Sequence, residues 1–117
     1  MDLTNKKCKS CEGGTPPLTE REVGEYMKEL PEGWQILDDK KLEKEFLFKD
    51  FLRAMSFVDM VADIAESEDH HPDIHIHYNK VQIELWTHAI GGLSENDFTV
   101  ATKIEQMNPV RSHRHSL

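Results

Sequence analysis

Only two cysteines occur in the 117 residues, Cys8 and Cys11, and they sit three positions apart near the N-terminus. Such a pair cannot cross-link a framework, so an apolar core has to hold the chain folded. Long hydrophobic runs are also missing. The 38% of hydrophobic residues are interleaved with 31% of charged ones, which leaves no segment fit to cross a bilayer. The stretch after Met1 lacks the apolar block of a secretory signal, and a cytoplasmic address is expected. Positive charge is scarce as well: 14 lysines and arginines face 22 aspartates and glutamates, a formal net charge of -8. That balance disfavours direct contact with nucleic acid or an anionic membrane. The length allows one modest domain.

Cys8-Lys-Ser-Cys11 has a spacing that suits half a zinc site or a redox pair, but no second cysteine pair or thioredoxin-like flank accompanies it. With the following Glu12-Gly13-Gly14-Thr15-Pro16-Pro17, it reads as a flexible, reduced N-terminal extension over residues 1–17, with metal sharing or an inter-subunit site as the alternative. Residues 18–107 form the expected domain, and 108–117 a polar tail whose histidines are incidental.

Within the domain, Thr19 is placed to cap a helix carrying Val23, Tyr26, Met27 and Leu30, which Pro31 and Gly33 terminate. Trp34–Leu37 and Leu42–Phe48 read as a hairpin around Asp38-Asp39-Lys40-Lys41. From Phe51 the period lengthens: Phe51, Met55, Val58, Ala62 and Ala65, widened by Ala54, Val61 and Ile64, predict the longest core helix, with Phe57 also packing. Ile74, Ile76 and Tyr78 alternate with His75 and His77, and Val81, Ile83 and Leu85 with Gln82, Glu84 and Trp86. This predicts a second hairpin. A turn at Asn79-Lys80 would set Tyr78 opposite Val81 and, by extension of the ladder, His71 opposite His88. Ser94 caps a last helix with Asp97 in its first turn and Phe98, Ala101 and Ile104 inside. The fold class is therefore α+β: a four-stranded antiparallel sheet with helices on one face, in the order α-β-β-α-β-β-α. The other sheet face is expected to stay partly apolar, which favours assembly of several copies.

Chemistry concentrates in Glu66-Ser-Glu-Asp-His70-His71-Pro72-Asp73 and in Thr87-His88, where imidazoles and carboxylates meet at element ends. Asp97 can accept a hydrogen bond from a ring or a histidine, or serve the helix terminus. Asp73 and Glu66 are candidates to support the histidines. Trp86 could stack on a ligand or pack at an interface. A metal site is a weaker reading, because His75 and His77 share a strand face with no equally spaced partner motif.

In order and spacing, Gly33-Trp34, Phe48-Lys49-Asp50-Phe51, Asp69-His70-His71-Pro72, Tyr78-Asn79-Lys80-Val81, Thr87-His88 and Gly92-Leu93-Ser94-Glu95-Asn96-Asp97 resemble the pterin-4a-carbinolamine dehydratase family from about Leu18 to Met107. The resemblance implies an α+β fold assembling into homodimers or homotetramers. It also implies dehydration of a 4a-hydroxy-tetrahydropterin to the quinonoid dihydropterin, in support of aromatic amino-acid hydroxylases, with pterin as substrate and neither cofactor nor metal. It makes His70, His71 and His88 the active-site histidines and Asp97 the motif acid. His71 is then assigned to leaving-group protonation, His88 to orientation or proton transfer at the ring, and His70 is the competing proton-transfer group. Asp73, Glu66, Trp86 and Thr87 are the supporting or substrate-binding candidates. Ile74 stands where the family often has tryptophan and Trp86 where it has a small residue, so pocket shape departs from the pattern more than the acid-base groups do. A noncatalytic pterin-binding or protein-dimerisation module is the alternative function, since animal members of the family also stabilise dimers of a transcription factor.

Overall fold

The computed structural model describes Leu3 and residues 16–107. Cys8, Cys11 and the tail histidines lie outside the described residues. Helix α1 (Glu20–Met27) begins at Thr19, whose hydroxyl accepts from the Glu22 amide while the Glu22 carboxylate accepts from the Thr19 amide. This reciprocal box satisfies two amides that the first helical turn leaves without partners. Strands β1 (Gln35–Leu37) and β2 (Lys41–Leu47) follow, then α2 (Phe51–Glu68), β3 (Asp73–His77), β4 (Lys80–Leu85), a 3-10 turn at His88–Ile90 and α3 (Glu95–Met107). The sheet order is β1-β2-β4-β3 with every neighbour antiparallel. The fold class and element order are those expected. None of the described helices is long and apolar enough to cross a membrane.

Leu42, Phe46, Val81, Ile83 and Leu85 form the inner sheet face, and all are buried. Against them α2 sets Ala54, Phe57, Val61 and Ala65, with Val58 and Ile64 at the flanks. Phe57 is central, its ring 4.7 Å from Phe46 and 4.9 Å from Phe48. Phe51 and Ala62, read as members of the helix's apolar stripe, are exposed. The buried line runs through 54, 57, 61 and 65, about 100° per residue, and both positions fall off it. Leu3 is also buried in this core. Buried charge ties α3 to the sheet: Glu105 accepts from the Trp34 indole at 2.9 Å and pairs with Lys44, whose ammonium also donates to the Glu32 carbonyl.

The outer sheet face corrects an expectation. The strand register puts Glu43, Glu45, Gln82, Glu84, His75 and His77 on it, so its middle is polar. Apart from Met107 at the end of α3, the large exposed apolar groups instead gather where β2, α2 and the β3–β4 turn meet: Leu47, Phe51, Leu52, Ile76 and Tyr78.

The β3–β4 register is a second correction. His77 pairs with Lys80 and Ile76 with Val81, so the turn is Tyr78-Asn79. Asn79 is held there by Phe48, whose amide donates to its carbonyl and whose carbonyl accepts from its side-chain amide. Tyr78 takes the positive φ of 54° that the turn demands. The shift is two residues, which preserves every side-chain face but sets Trp86, not His88, on the extended line from His71.

Helix α1 has no fully buried residue and leans on α3 through Tyr26, which stacks on Phe98 at 5.0 Å and donates to Glu95 at 2.7 Å. Burial first, then the hydrogen bond to the Glu95 carboxylate, pushes the phenol up to about 12. The folded state holds this proton more tightly than the unfolded chain, so stability is full below pH 10 and declines as pH climbs towards 12. Thermal unfolding across that window should show a steeper decline in the wild type than in Tyr26→Phe. Parallel curves would rule out the linkage.

Candidate active site

Helix α2 ends at Asp69, which adopts the left-handed conformation at φ 53° and turns the chain sharply. Aspartate tolerates this region better than most residues. The amides of Asp69 and His70 both return to the Ala65 carbonyl, closing the helix end. His70 and His71 therefore leave the helix as a fixed pair, and Pro72 starts the approach to β3.

A second chain segment meets this corner. Beyond β4, Thr87 bridges to Gly92, and the 3-10 turn between them carries His88. Gly91, at φ 65°, closes the turn. The two segments and the first turn of α3 enclose a cleft of about 540 Å³, within the range that holds a small bicyclic ligand. The helix-end segment contributes Asp69 to Asp73, the turn contributes Trp86 to Ala89, and α3 contributes Asn96.

Asp97 lies behind this wall with 0% of its surface exposed. Its carboxylate faces the Nε2 of His70 at 2.6 Å and accepts from the Thr87 hydroxyl at 2.9 Å and the Ser94 amide at 2.9 Å. The sequence explains the position: Ser94 is the helix cap, its hydroxyl accepting from the Asn96 amide, and the third residue beyond a cap points back to the cap's amide. One carboxylate thus serves the helix start and the cleft at once. In the tautomer that donates from Nε2 to this carboxylate, Nδ1 is the His70 ring nitrogen left for a ligand.

The other histidines are wetter. His71 keeps 55% of its side chain exposed, against 12% for His70, and its Nε2 lies 2.5 Å from the Glu66 carboxylate. His88 is exposed and lies against the Trp86 indole, ring centroids 4.0 Å apart and tilted by 35°. The Trp86 N–H points to the Asp73 carboxylate at 3.4 Å, a long contact.

The structure therefore brings His70, His71, Asp73, Trp86, Thr87 and His88 to one cleft, with Asp97 buried beneath it and Glu66 beside His71 on the outside. His75 and His77 stay on the outer sheet face, where His75 approaches Glu84 at 3.7 Å. Among the described residues, no three histidines, cysteines or carboxylates converge as a metal-binding group. Sequence reasoning did not place Asn96 at the cleft and read Ser94 only as a helix cap. The signal for Asn96 was present in the cap, since a residue two beyond Ser94 shares the first turn with Asp97.

The family profile described as pterin 4 alpha carbinolamine dehydratase matches residues 16–107. A protein of Nitrosospira multiformis, named provisionally as a pterin-4-alpha-carbinolamine dehydratase, is 53% identical over 106 residues, which cover 91% of this chain and 92% of that one. A relative of the same name in Nitrosomonas eutropha is 47% identical over 106 residues, covering 91% and 93%. Among solved structures, a transcriptional coactivator/pterin dehydratase from Brucella melitensis is 38% identical with a TM-score of 0.72, covering 77% of this chain and 96% of its own. A pterin dehydratase-like protein identified as a RuBisCO assembly factor in the alpha-carboxysome superposes with a TM-score of 0.54 at 22% identity, covering 63% and 87%, a likeness of fold alone.

Proposed function

This chain belongs to the pterin-4a-carbinolamine dehydratase family, and from that premise we propose that it dehydrates a 4a-hydroxy-tetrahydropterin of the tetrahydrobiopterin type, returning quinonoid dihydropterin to the cofactor cycle of an aromatic amino-acid hydroxylase. The observation that carries the reading is the trio His70, His71 and His88 on one cleft, with the buried Asp97 behind the first.

The reaction requires one proton to leave N5 and another to reach the hydroxyl on C4a. His70 takes the N5 proton on Nδ1. The N–H electron pair then becomes the N5=C4a double bond and the C4a–O bond breaks. Asp97 favours the imidazolium formed on His70 and fixes its ring, as a carboxylate behind a histidine does in other acid-base sites. His71, exposed and beside Glu66, supplies the proton with which the hydroxyl leaves as water, and it recharges from solvent. His88, braced by Trp86, orients the pterin ring. Thr87 acts through Asp97, and Asp73 through the Trp86 wall. The net change is loss of one water, with no electron gained or lost.

In this reading the catalytic domain is residues 18–107, the protein works in the cytoplasm, and it assembles as a homodimer or homotetramer. The exposed groups around Phe51 and Leu52 are the surface best suited to apolar contact, since the middle of the outer sheet face is polar. The alternative, a noncatalytic pterin-binding or protein-dimerisation module, draws on the similarity to the transcriptional coactivator/pterin dehydratase at 38% identity. Stopped-flow decay of freshly generated 4a-hydroxy-tetrahydropterin separates the two. With the protein at micromolar concentration, the decay should accelerate well above the buffer rate; a rate equal to buffer would leave binding or assembly as the function.

A further inference from the structure

We propose that Lys40 and Lys41 form an anion-selecting rim on this cleft, so that the preferred pterin carries a phosphate or carboxylate on its side chain. The inference rests on the dehydratase reading and deepens it.

Both ammonium groups lie over the indole that walls the cleft, at 5.4 and 5.5 Å from the Trp86 ring centroid, and the same ring lies 4.0 Å from His88. Backbone register puts Lys41 there: Leu42 pairs with Leu85, so one step outward sets Lys41 opposite Trp86. Lys40 arrives from the β1–β2 turn, where Asp38 and Asp39 both hold positive φ. Two like charges on one aromatic ring repel each other, and the ring's own attraction offsets only part of that. Counter-charge reaches one side of this group, where the Asp73 carboxylate stands 3.4 Å from the Trp86 N–H. Lys41 meets Glu84 at 3.5 Å, and Lys40 makes no ion pair among the described residues. Asp39, its neighbour in the turn, lines a separate groove between α1 and β1. An anion between the two ammoniums relieves the repulsion.

The substrate's connectivity supplies the anion's route. The pterin bicycle is uncharged and needs no cation, but its side chain is borne on C6, the carbon bonded to N5. With N5 at the histidines, the side chain leaves the ring beside the reacting edge, where Trp86 flanks His88. An uncharged side chain would gain little from the rim. A phosphate or carboxylate would meet two ammoniums.

The test compares three freshly generated 4a-hydroxy-tetrahydropterins, with a dihydroxypropyl side chain, its phosphate ester, and a side chain ending in a carboxylate. In parallel, the corresponding oxidised pterins are titrated by quenching of tryptophan fluorescence, a binding readout that needs no turnover. We expect kcat/KM and affinity about tenfold higher for the anionic forms, carried by KM and weakened as salt is raised to roughly 0.5 M. The Lys40→Gln/Lys41→Gln variant should bring the anionic-to-neutral ratio close to one, and Lys40→Arg/Lys41→Arg should keep it. If only the phosphate or only the carboxylate is favoured, the rim stands and its ligand is that group. A wild-type ratio near one in both assays, or a preference that survives the glutamine variant, overturns the proposal. Absence of turnover with all three substrates defeats the dehydratase reading, while the titration still decides the rim.

Discussion

The His71→Ala/His88→Ala variant should lose at least about 10²-fold of the dehydration rate while unfolding at nearly the wild-type urea concentration. Both side chains are exposed at the cleft, so their removal leaves no cavity in the core and should change stability by less than about 0.5 kcal/mol. Each histidine is assigned a different task, proton donation for His71 and ring orientation for His88. The loss in the double variant should therefore exceed either single loss but fall short of their product, because the two act on one transition state. Paired stopped-flow and urea-unfolding measurements check both halves. A double variant that still accelerates the decay as the wild type does would remove these histidines from the chemistry.

Asp97→Asn should damage folding and turnover together. The carboxylate has no exposed surface and serves three groups, the His70 ring, the Thr87 hydroxyl and the Ser94 amide. An asparagine of the same shape accepts with one atom and donates with the other, so its amide either faces the Thr87 and Ser94 donors or forces Nε2 of His70 into the accepting tautomer. Leaving a buried donor unsatisfied costs about 2 kcal/mol or more. The same change removes the charge that favours the His70 imidazolium, and a loss of about 10- to 100-fold in rate is expected from such a supporting group. Asp73→Asn is the control for folding, because that carboxylate is exposed and makes only a long contact to Trp86. An Asp97→Asn protein with an unchanged unfolding midpoint would show that the buried contacts are not what holds this corner.

Element order was legible because each segment announces itself locally: a capping box at Thr19, alternation in 74–86, a 3.6 period from residue 51 and a cap at Ser94. The core side of α2 was only half legible. Phe51 fits an apolar stripe as well as Phe57 does, and only the position of the sheet distinguishes them. The register of the second hairpin was misread because the Asn79 carbonyl and side chain are captured by Phe48, 31 residues away, a contact invisible to local turn preference. For the cleft, the motif residues stand near one another in the sequence, so their neighbourhood was readable, and the division between buried and wet histidines was not. That division comes from α3 docking against the end of α2, which brings Asp97 to His70 across 27 positions.

Helix α2 keeps its histidine corner and the apolar cluster of Leu47, Phe51, Leu52 and Tyr78 at opposite ends, separated by 18 residues or about 27 Å. At that distance, substitutions at one end are energetically independent of those at the other. Changes among the outward aromatic and aliphatic groups therefore bear on apolar contact with other chains and not on the histidine corner. Divergence at the far end is no guide to whether a given descendant still turns over a pterin, and solubility engineering there leaves the chemistry untouched.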